Sequence, residues 1–333
     1  MNVTGALVAL SGGVDSSYAL NLCIERYSHV RAGYVDTSGY GIPPEVENTA
    51  GAAGVKLVIV DAASRFRRDV ILWSEQMMSL GLTPNPCARC NARVKLFSLH
   101  EILKSSEALV TGHYVRKDGD LIKRGSDANK DQSYFLSLVD SDILRDCTFP
   151  LGDMLKEDVR GEALRLNIPF GRKESMDLCF NLAAGEEKPG RVMDISGREI
   201  GRHDGTGHYT IGQRKGLGAY GRRMYVVDVN SSDGTVTIGR RKDLLSTGCV
   251  LVDMNWFRKP SDFPSEALVQ TRYRRKPVPA ILEYRDGSLH IEFIRPEEAV
   301  APGQVCAVYL DTSVIGGGII SSTEHTDWNG DAE

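Results

Sequence analysis

The chain has 333 residues, 41% apolar and 25% charged, with a formal net charge of −4 at pH 7. That length accommodates two or three domains with ample cores, and the acidic balance excludes a uniformly basic nucleic-acid binder, so any RNA site is a local patch. No apolar run is long enough to cross a membrane, and residues 1–14 lack a basic start and cleavage site, so the expectation is a cytoplasmic protein with no membrane partner.

The first element is the apolar run Ala6–Leu10, which reads as a buried strand and leads into Ser11-Gly12-Gly13-Val14-Asp15-Ser16-Ser17. Helical apolar spacing follows at Tyr18, Leu20, Leu22 and Ile24. A strand, a glycine turn and a helix start make a phosphate cradle: glycines let backbone N–H groups approach an anion, and the helix terminus adds positive character. Ser11, Ser16 and Ser17 add hydroxyl donors, and Asp15 is placed to hold Mg²⁺ against the phosphates. No Gly-Lys-Ser/Thr follows, so this is not the Walker loop. The segment resembles the SGGxDS signature of ATP pyrophosphatases, which split ATP between the α and β phosphates and leave AMP on an acceptor. The plainer reading is a turn that only joins a strand to a helix; the strand–loop–helix context argues against it.

Strands are then expected over Val30–Asp36, Lys56–Val60 and Ala108–Val110, with helices over Pro43–Ala53 and Arg67–Leu80. This alternation is the pattern of a parallel α/β sheet. The last of these strands ends in Thr111-Gly112-His113-Tyr114. Ligands in open parallel sheets gather beyond the carboxyl ends of strands. Gly112 and His113 are therefore expected on the same nucleotide-binding rim as Ser11, Gly12, Gly13, Val14, Asp15, Ser16 and Ser17.

After about residue 185 the texture changes at the polar break Glu186-Glu187-Lys188-Pro189-Gly190. Short alternating runs follow, among them Arg191–Ile195, Met224–Val229, Thr235–Ile238, Cys249–Val252, Ala280–Tyr284 and Gln304–Leu310, with turns at Asp233-Gly234 and Asp286-Gly287. The expected organisation is an α/β ATP-pyrophosphatase domain over 1–185, a small β-rich domain over 186–245, a C-terminal β-barrel over 246–322 and a polar tail over 323–333; the polar texture begins at Ser321.

The seven cysteines are an odd set, which argues against a disulfide framework. Cys23, Cys147, Cys249 and Cys306 lie among apolar or mixed neighbours and read as core residues or inert thiols. Cys87 and Cys90 form a Cys-x-x-Cys behind Thr83-Pro84-Asn85-Pro86 and ahead of a helical stretch, with Arg89 and Arg93 near enough to favour thiolates. Half a zinc site, a redox pair and iron–sulfur ligands are all open readings. A second Cys-x-x-Cys is missing. Cys179, in Ser175-Met176-Asp177-Leu178-Cys179-Phe180, is a possible third thiolate, and three cysteines can hold a [4Fe–4S] cluster with one iron open. Separate, redox-idle cysteines are the alternative.

Taken together, the segments resemble the tRNA-specific 2-thiouridylases of the MnmA type along nearly the whole chain. The resemblance is carried by the Ser11–Ser17 loop, Thr83–Pro86, Cys90, Gly112–Tyr114 and Asn129-Lys130-Asp131-Gln132-Ser133-Tyr134-Phe135-Leu136. It continues in Phe149–Gly152, Cys179-Phe180, His208–Gly218 and Gly316–Ile320. It implies ATP and Mg²⁺ as cofactors, adenylation of C2 of the wobble uridine 34, and replacement of the oxygen by sulfur with loss of AMP. It implies the anticodon stem-loop of the Lys, Glu and Gln tRNAs as partner, with sulfide or a persulfide relay as sulfur donor. Cys179 matches the persulfide acceptor and Cys90 its partner thiol. Cys87 stands where the family usually carries Asp, which makes a three-cysteine set similar to the cluster-dependent branch of tRNA thiolation. The segments Asp36–Pro44 and 180–190 are shorter than in the family, which leaves adenine contacts and a protein sulfur relay unassigned.

Asp131 is an expected acid–base or hydrogen-bond partner of the flipped base, or else a helix cap; Gln132 is an expected RNA contact. His113 reaches nucleotide or base, or is a satisfied strand-end histidine. Gln213, Arg214 and Lys215, and Arg272 and Arg274 in the run Arg272-Tyr273-Arg274-Arg275-Lys276, are the expected RNA contacts. Two rival functions are a small-molecule ATP-pyrophosphatase synthetase and a non-catalytic iron–sulfur RNA-binding protein. The first leaves the cysteines and the β-rich half unexplained; the second makes Asp15 dispensable.

Overall fold

Ala6, Leu7 and Val8 are fully buried, as a strand covered on both faces requires. They form the centre of β1 (Gly5–Ala9), which is joined by β2 (His29–Asp36), β3 (Lys56–Asp61) and β4 (Glu107–Val110). The computed structural model describes residues 3–171, 188–218, 220–259 and 263–325. It divides into two compact units. One holds Met1–Val70, Cys87–Asn181 and Thr312–Ile315; the other holds Ile71–Pro86, Leu182–Asp311 and Gly316–Glu333.

The first unit is a five-stranded sheet. The hairpin β5 (Val115–Asp118) and β6 (Leu121–Arg124) precedes its last strand, β7 (Cys147–Thr148). The order β3-β2-β1-β4-β7 places β1 between β2 and β4, and all pairings in this sheet are parallel. The chain winds outward from β1 to β3 and then returns to the other flank of β1. The reversal point therefore lies between the carboxyl ends of β1 and β4, where such sheets bind ligands. The helix α1 (Val14–Arg26) follows β1, and α2 (Pro44–Ala52) carries Pro at its first turn.

Across the amino end of this sheet, Glu107 of β4 reaches over Gly5 to Arg31 of β2. A Cβ at Gly5 would stand 3.1 Å from the Glu107 Cγ. Arg31 donates to both carboxylate oxygens, at 2.8 and 2.6 Å, and to the Ile102 carbonyl at 3.1 Å. Burial pushes the Glu107 carboxyl up, but the Arg31 hydrogen bonds and the Lys104 amide outweigh it and hold the group below its ordinary value.

The second unit contains β8 (Gly190–Asp194), β9 (Glu199–His203), β10 (Tyr225–Asn230) and β11 (Thr235–Gly239), in the order β10-β11-β8-β9. Val192, Met224, Val226, Val236 and Ile238 form its core. A six-stranded barrel follows: β12 (Leu245–Trp256), β13 (Glu266–Gln270), β14 (Val278–Arg285), β15 (Ser288–Glu298), β16 (Val305–Leu310) and β17 (Ser313–Glu324). Pairing of β12 with β17 closes it and leaves the barrel no free edge. The β14–β15 turn is Asp286-Gly287, both at positive φ (52° and 79°), as a two-residue hairpin demands. The α/β class and the β-rich second half agree with the sequence reading.

Among the strands, the β5–β6 hairpin, β7, β9 and most of β17 escaped that reading. The polar run from Ser321 is strand through Glu324, because Ser322, Thr323 and Glu324 pair with Val250, Cys249 and Gly248. Backbone pairing suffices there, whatever the side chains. Among the described residues no helix is long and apolar enough to cross a membrane.

Glu107→Ala is expected to cost about 3 kcal/mol, because it strands a largely buried guanidinium. Since the folded carboxyl lies below its ordinary value of 4.5, the pair stabilises the fold above that pH. The contribution fades as pH falls through the folded pKa. Urea unfolding of wild type and variant at neutral and acid pH checks both: the gap between them narrows in acid.

Candidate active site

The turn after β1 is built by its glycines. Gly12 has φ +80°, and a Cβ there would meet Glu45 Cβ and Val46 Cγ2 at 3.2 Å. Gly13 caps α1 without a side-chain hydrogen bond, so the first-turn amides keep the anion-seeking character of an uncapped helix start. The serines divide their labour. Ser16 accepts from the Ser11 amide at 3.1 Å, lies 3.0 Å from the Ser11 hydroxyl and donates to the Gly13 carbonyl at 3.0 Å. Ser17 is 1% exposed and lies 3.4 Å from the Thr49 hydroxyl. Ser16 and Ser17 hold the loop in shape, then, and only Ser11 is exposed. That corrects the expectation of three outward hydroxyl donors.

Gly112 sets the width of the site. A Cβ on it would stand 2.9 Å from the Asp15 carbonyl carbon and the Ser16 nitrogen, closer than such contacts allow. The backbone beyond β4 therefore lies directly against the first turn of α1, and the predicted shared rim is present. Two residues on, the Tyr114 hydroxyl donates to Asp15 Oδ1 at 2.8 Å. The Lys156 ammonium donates to both Asp15 oxygens, at 2.7 and 2.6 Å. Lys156 opens the helix Lys156–Arg165, whose buried Val159 and Ala163 pack with Val14, Tyr18 and Ala19 of α1. Its amide donates to Asp127 Oδ2 at 3.1 Å. Sequence reasoning missed Lys156; the available signal was a lysine opening a helix just after Phe149-Pro150-Leu151-Gly152.

His113 lies with its Nδ1 at 2.9 Å from the Thr111 hydroxyl. Burial pushes its imidazole down to about 4, and the Lys95 charge adds to that. Gln132 accepts from the Tyr114 amide at 3.0 Å and returns its own amide to the Tyr114 carbonyl at 3.2 Å, so it positions Tyr114. Asp131 is 7% exposed. Its Oδ1 accepts from the Gly125 and Ser133 amides and its Oδ2 from Arg124 Nε and the Ser133 hydroxyl, at 2.9–3.1 Å. A carboxylate so filled ties a turn to a helix start; the acid–base expectation for Asp131 is corrected accordingly.

Cys87 and Cys90 lie one helical turn apart in the helical stretch 86–100, Cys87 half-buried and Cys90 5% exposed. Arg89 between them donates to the Asp69 carbonyl at 3.0 Å. Cys179 lies outside the described residues, so the expected three-cysteine set is seen only in its first two members. Among the described residues no three His, Cys, Asp or Glu side chains gather at one point. Cys23 and Cys147 are buried, and burial pushes both thiols up to about 12. A hydrogen bond with Cys249, together with burial, raises the Cys306 thiol well above its ordinary value.

In the second unit the lead-in to the cysteines is clasped by a residue the sequence did not single out. Gln304 Nε2 donates to the Thr83 and Pro84 carbonyls at 3.1 and 3.3 Å, and a Cβ on Gly303 would strike the Thr83 nitrogen at 2.8 Å. The basic residues separate into two kinds. Arg214, Lys215, Arg274 and Lys276 are exposed. Arg272 donates to the Ile211 carbonyl at 2.7 Å, Arg275 pairs with Glu298 at 3.1 Å, and Gln213 holds its own loop through Thr210 and Lys215 at 3.0 Å. Gln213 and Arg272 thus shape the loop that carries Arg214 and Lys215.

Residues 4–182 match the tRNA methyl transferase HUP domain, 182–240 the tRNA methyl transferase PRC-barrel domain and 246–320 the aminomethyltransferase beta-barrel domain. The chain is 39% identical over 337 residues to tRNA-specific 2-thiouridylase MnmA of Nitratidesulfovibrio vulgaris, covering 94% of this chain and 97% of that protein. The chain belongs to the MnmA family of tRNA-specific 2-thiouridylases. A second MnmA, from Treponema denticola, is 37% identical over 365 residues, covering 96% and 98%. Two solved structures share a remote likeness, each with a TM-score of 0.34. NH3-dependent NAD synthetase from Campylobacter jejuni is 18% identical over 50% of this chain and 66% of its own. U34-tRNA thiolase NcsA from Methanococcus maripaludis, with its [4Fe-4S] cluster, is 17% identical over 54% and 63%. Likenesses this remote say nothing of the reaction. As an MnmA-type enzyme the chain is a tRNA-uridine 2-sulfurtransferase, and its loop domain is the ATP-using part.

His113 is expected to stay neutral in the folded enzyme, its ring resonances flat by NMR between about pH 5 and 8. Its folded pKa lies below the ordinary 6.5. The unfolded chain therefore binds the proton first, and stability falls as pH drops from 6.5 towards 4. A ring midpoint near the ordinary value would contradict the buried setting.

Proposed function

We propose that the chain thiolates C2 of the wobble uridine 34 in tRNA, using ATP. The reading rests above all on one observation: the Ser11–Ser17 loop meets Gly112–Tyr114 at the sheet's reversal point, in a chain that matches 2-thiouridylases over 94% of its length. ATP takes Ser11, the amides of Gly12 to Asp15 and the close-packed backbone at Gly112. The chemistry of Asp15, a half-buried carboxylate at the mouth of an anion cradle, fits Mg²⁺, which when bound would stabilise charge on the phosphates. The uridine O2 attacks the α phosphorus, pyrophosphate leaves, and C2 acquires AMP as a leaving group. Sulfur then attacks C2 and AMP departs.

Two sulfur carriers suit the cysteines. One is a persulfide on Cys179 with Cys90 as partner thiol. The other is sulfide on a [4Fe–4S] cluster held by Cys87, Cys90 and Cys179, favoured by the cysteine at 87. Arg214, Lys215 and Arg274 contact the anticodon stem-loop of the Lys, Glu and Gln tRNAs as exposed cations. Gln213 and Arg272 support the loop of Arg214 and Lys215 from behind, Gln132 positions Tyr114, and His113 faces the nucleotide as a neutral ring. The reaction belongs to residues 1–185, with 186–245 and 246–322 as RNA-binding modules, in the cytoplasm. The domain families' names speak of methyl transfer, whereas the chain carries the Ser11–Ser17 loop, which suits ATP.

Wild type is expected to convert uridine to 2-thiouridine in tRNA, read by nucleoside mass spectrometry, and Cys90→Ser and Cys179→Ser to abolish it. Anaerobic iron and sulfide analysis decides between the carriers. Roughly four irons per chain, lost in Cys87→Ser, identify the cluster route. No iron after reconstitution, with thiolation kept in Cys87→Ser, identifies the persulfide. Pyrophosphate release without RNA, and no thiolated tRNA, would sink the whole reading.

A further inference from the structure

The loop Ser11–Ser17 has glycines, serines and one aspartate but no basic side chain. An uncapped helix terminus offers about half a positive charge, too little for a triphosphate. The missing cation comes from elsewhere in the same unit. Lys156 lies with its ammonium 2.7 and 2.6 Å from the two Asp15 oxygens, and the Tyr114 hydroxyl fills Oδ1 further at 2.8 Å. The lysine and aspartate side chains are only 13% and 16% exposed. The ammonium also stands 5.8 Å from the centre of the Tyr114 ring.

We infer that Lys156 is the phosphate-binding cation of this site. It rests on Asp15 while the loop is empty and moves to the pyrophosphate portion of ATP when the nucleotide binds. The inference rests on the ATP reading above. Three observations carry it. The helix bearing Lys156 is pinned to α1 by Val159 and Ala163, so only the flexible four-carbon stem has to move. The Gly112 contact leaves no room for a Cβ at that position and sets the rim backbone against Asp15, the residue on which the ammonium sits, so the ammonium lies next to the cradle. Asp15 can give its oxygens to Mg²⁺ only if the ammonium leaves them, and a departing ammonium in so enclosed a place requires another anion at once. As uridine O2 bonds to the α phosphorus, the bond from that phosphorus to the α–β bridging oxygen breaks. The oxygen keeps the electron pair, and Lys156 offsets its growing charge.

Calorimetric titration of the full chain in EDTA with ATP, AMP and pyrophosphate tests the inference without turnover. Lys156→Gln is expected to weaken ATP and pyrophosphate at least about tenfold and AMP less than about twofold, a loss of charge-assisted contacts to the distal phosphates alone. Lys156→Arg should recover part of the loss. The double variant Asp15→Asn with Lys156→Gln leaves no unpaired charge and gives the same ATP-to-AMP ratio should the single variant unfold. Equal weakening of ATP and AMP, or no weakening of ATP, overturns the role of Lys156 while leaving the ATP site intact. A wild-type chain that binds neither nucleotide, in EDTA or with Mg²⁺ added, overturns the ATP reading and this inference with it.

Discussion

Much of the first unit follows from a single steric constraint, the contact between the backbone at Gly112 and the first turn of α1. With no Cβ at that position the segment after β4 can lie on Asp15 and Ser16, and β1 and β4, paired in parallel from Gly5↔Glu107 to Val8↔Val110, bring the two ends together. Tyr114 then reaches Asp15, Gln132 fixes Tyr114 from behind, and Asp131 ties the neighbouring turn. Any side chain at 112 would push the two loops apart and lengthen the Tyr114–Asp15 bond. At the far end of the same strands, the Arg31–Glu107 bridge over Gly5 uses the same device: a glycine where another group must pass.

The second unit shows how an acidic protein builds a basic surface. Several of its arginines are spent on structure, Arg241 among them. Arg272 carries the Ile211 carbonyl, and Arg275 and Arg241 converge on Glu298. The exposed remainder is held out by this scaffold. Cations whose arginine neighbours are neutralised in place stand out locally, and long-range attraction to a polyanion is focused on them.

What the sequence revealed depended on how locally each feature is encoded. The β1 strand, the glycine turn and α1 were legible because each is specified within a few residues, and Gly112–Tyr114 because sheet topology sends it to the same rim. The Asp15–Lys156 pair was not, since it joins residues 141 apart and no periodicity reports such a partner. The inward bonds of Ser16, Ser17, Gln132 and Arg272 were not legible for a related reason, while for Asp131 the capping alternative fits its bonds to Ser133: a polar side chain turned inward to bond a neighbour has the same letter as one turned outward to meet substrate. β17 was cut short because its last residues are polar, and a strand secured by ladder bonds on the barrel's closing seam needs no apolar face to persist. Gln304 escaped because its clasp on Thr83 and Pro84 again spans most of the chain.

The buried thiols bear on chemoselectivity. A sulfurtransferase must pass an oxidisable, nucleophilic sulfur through a protein that contains other cysteines, and every stray thiolate is a place for that sulfur to be lost. Cys23 and Cys147, pushed up to about 12, remain protonated at any cellular pH. Cys306, hydrogen-bonded to the free thiol of Cys249 and buried inside the barrel, is likewise held well away from ionising. They add apolar packing yet stay chemically silent, so the fold itself insulates the sulfur path.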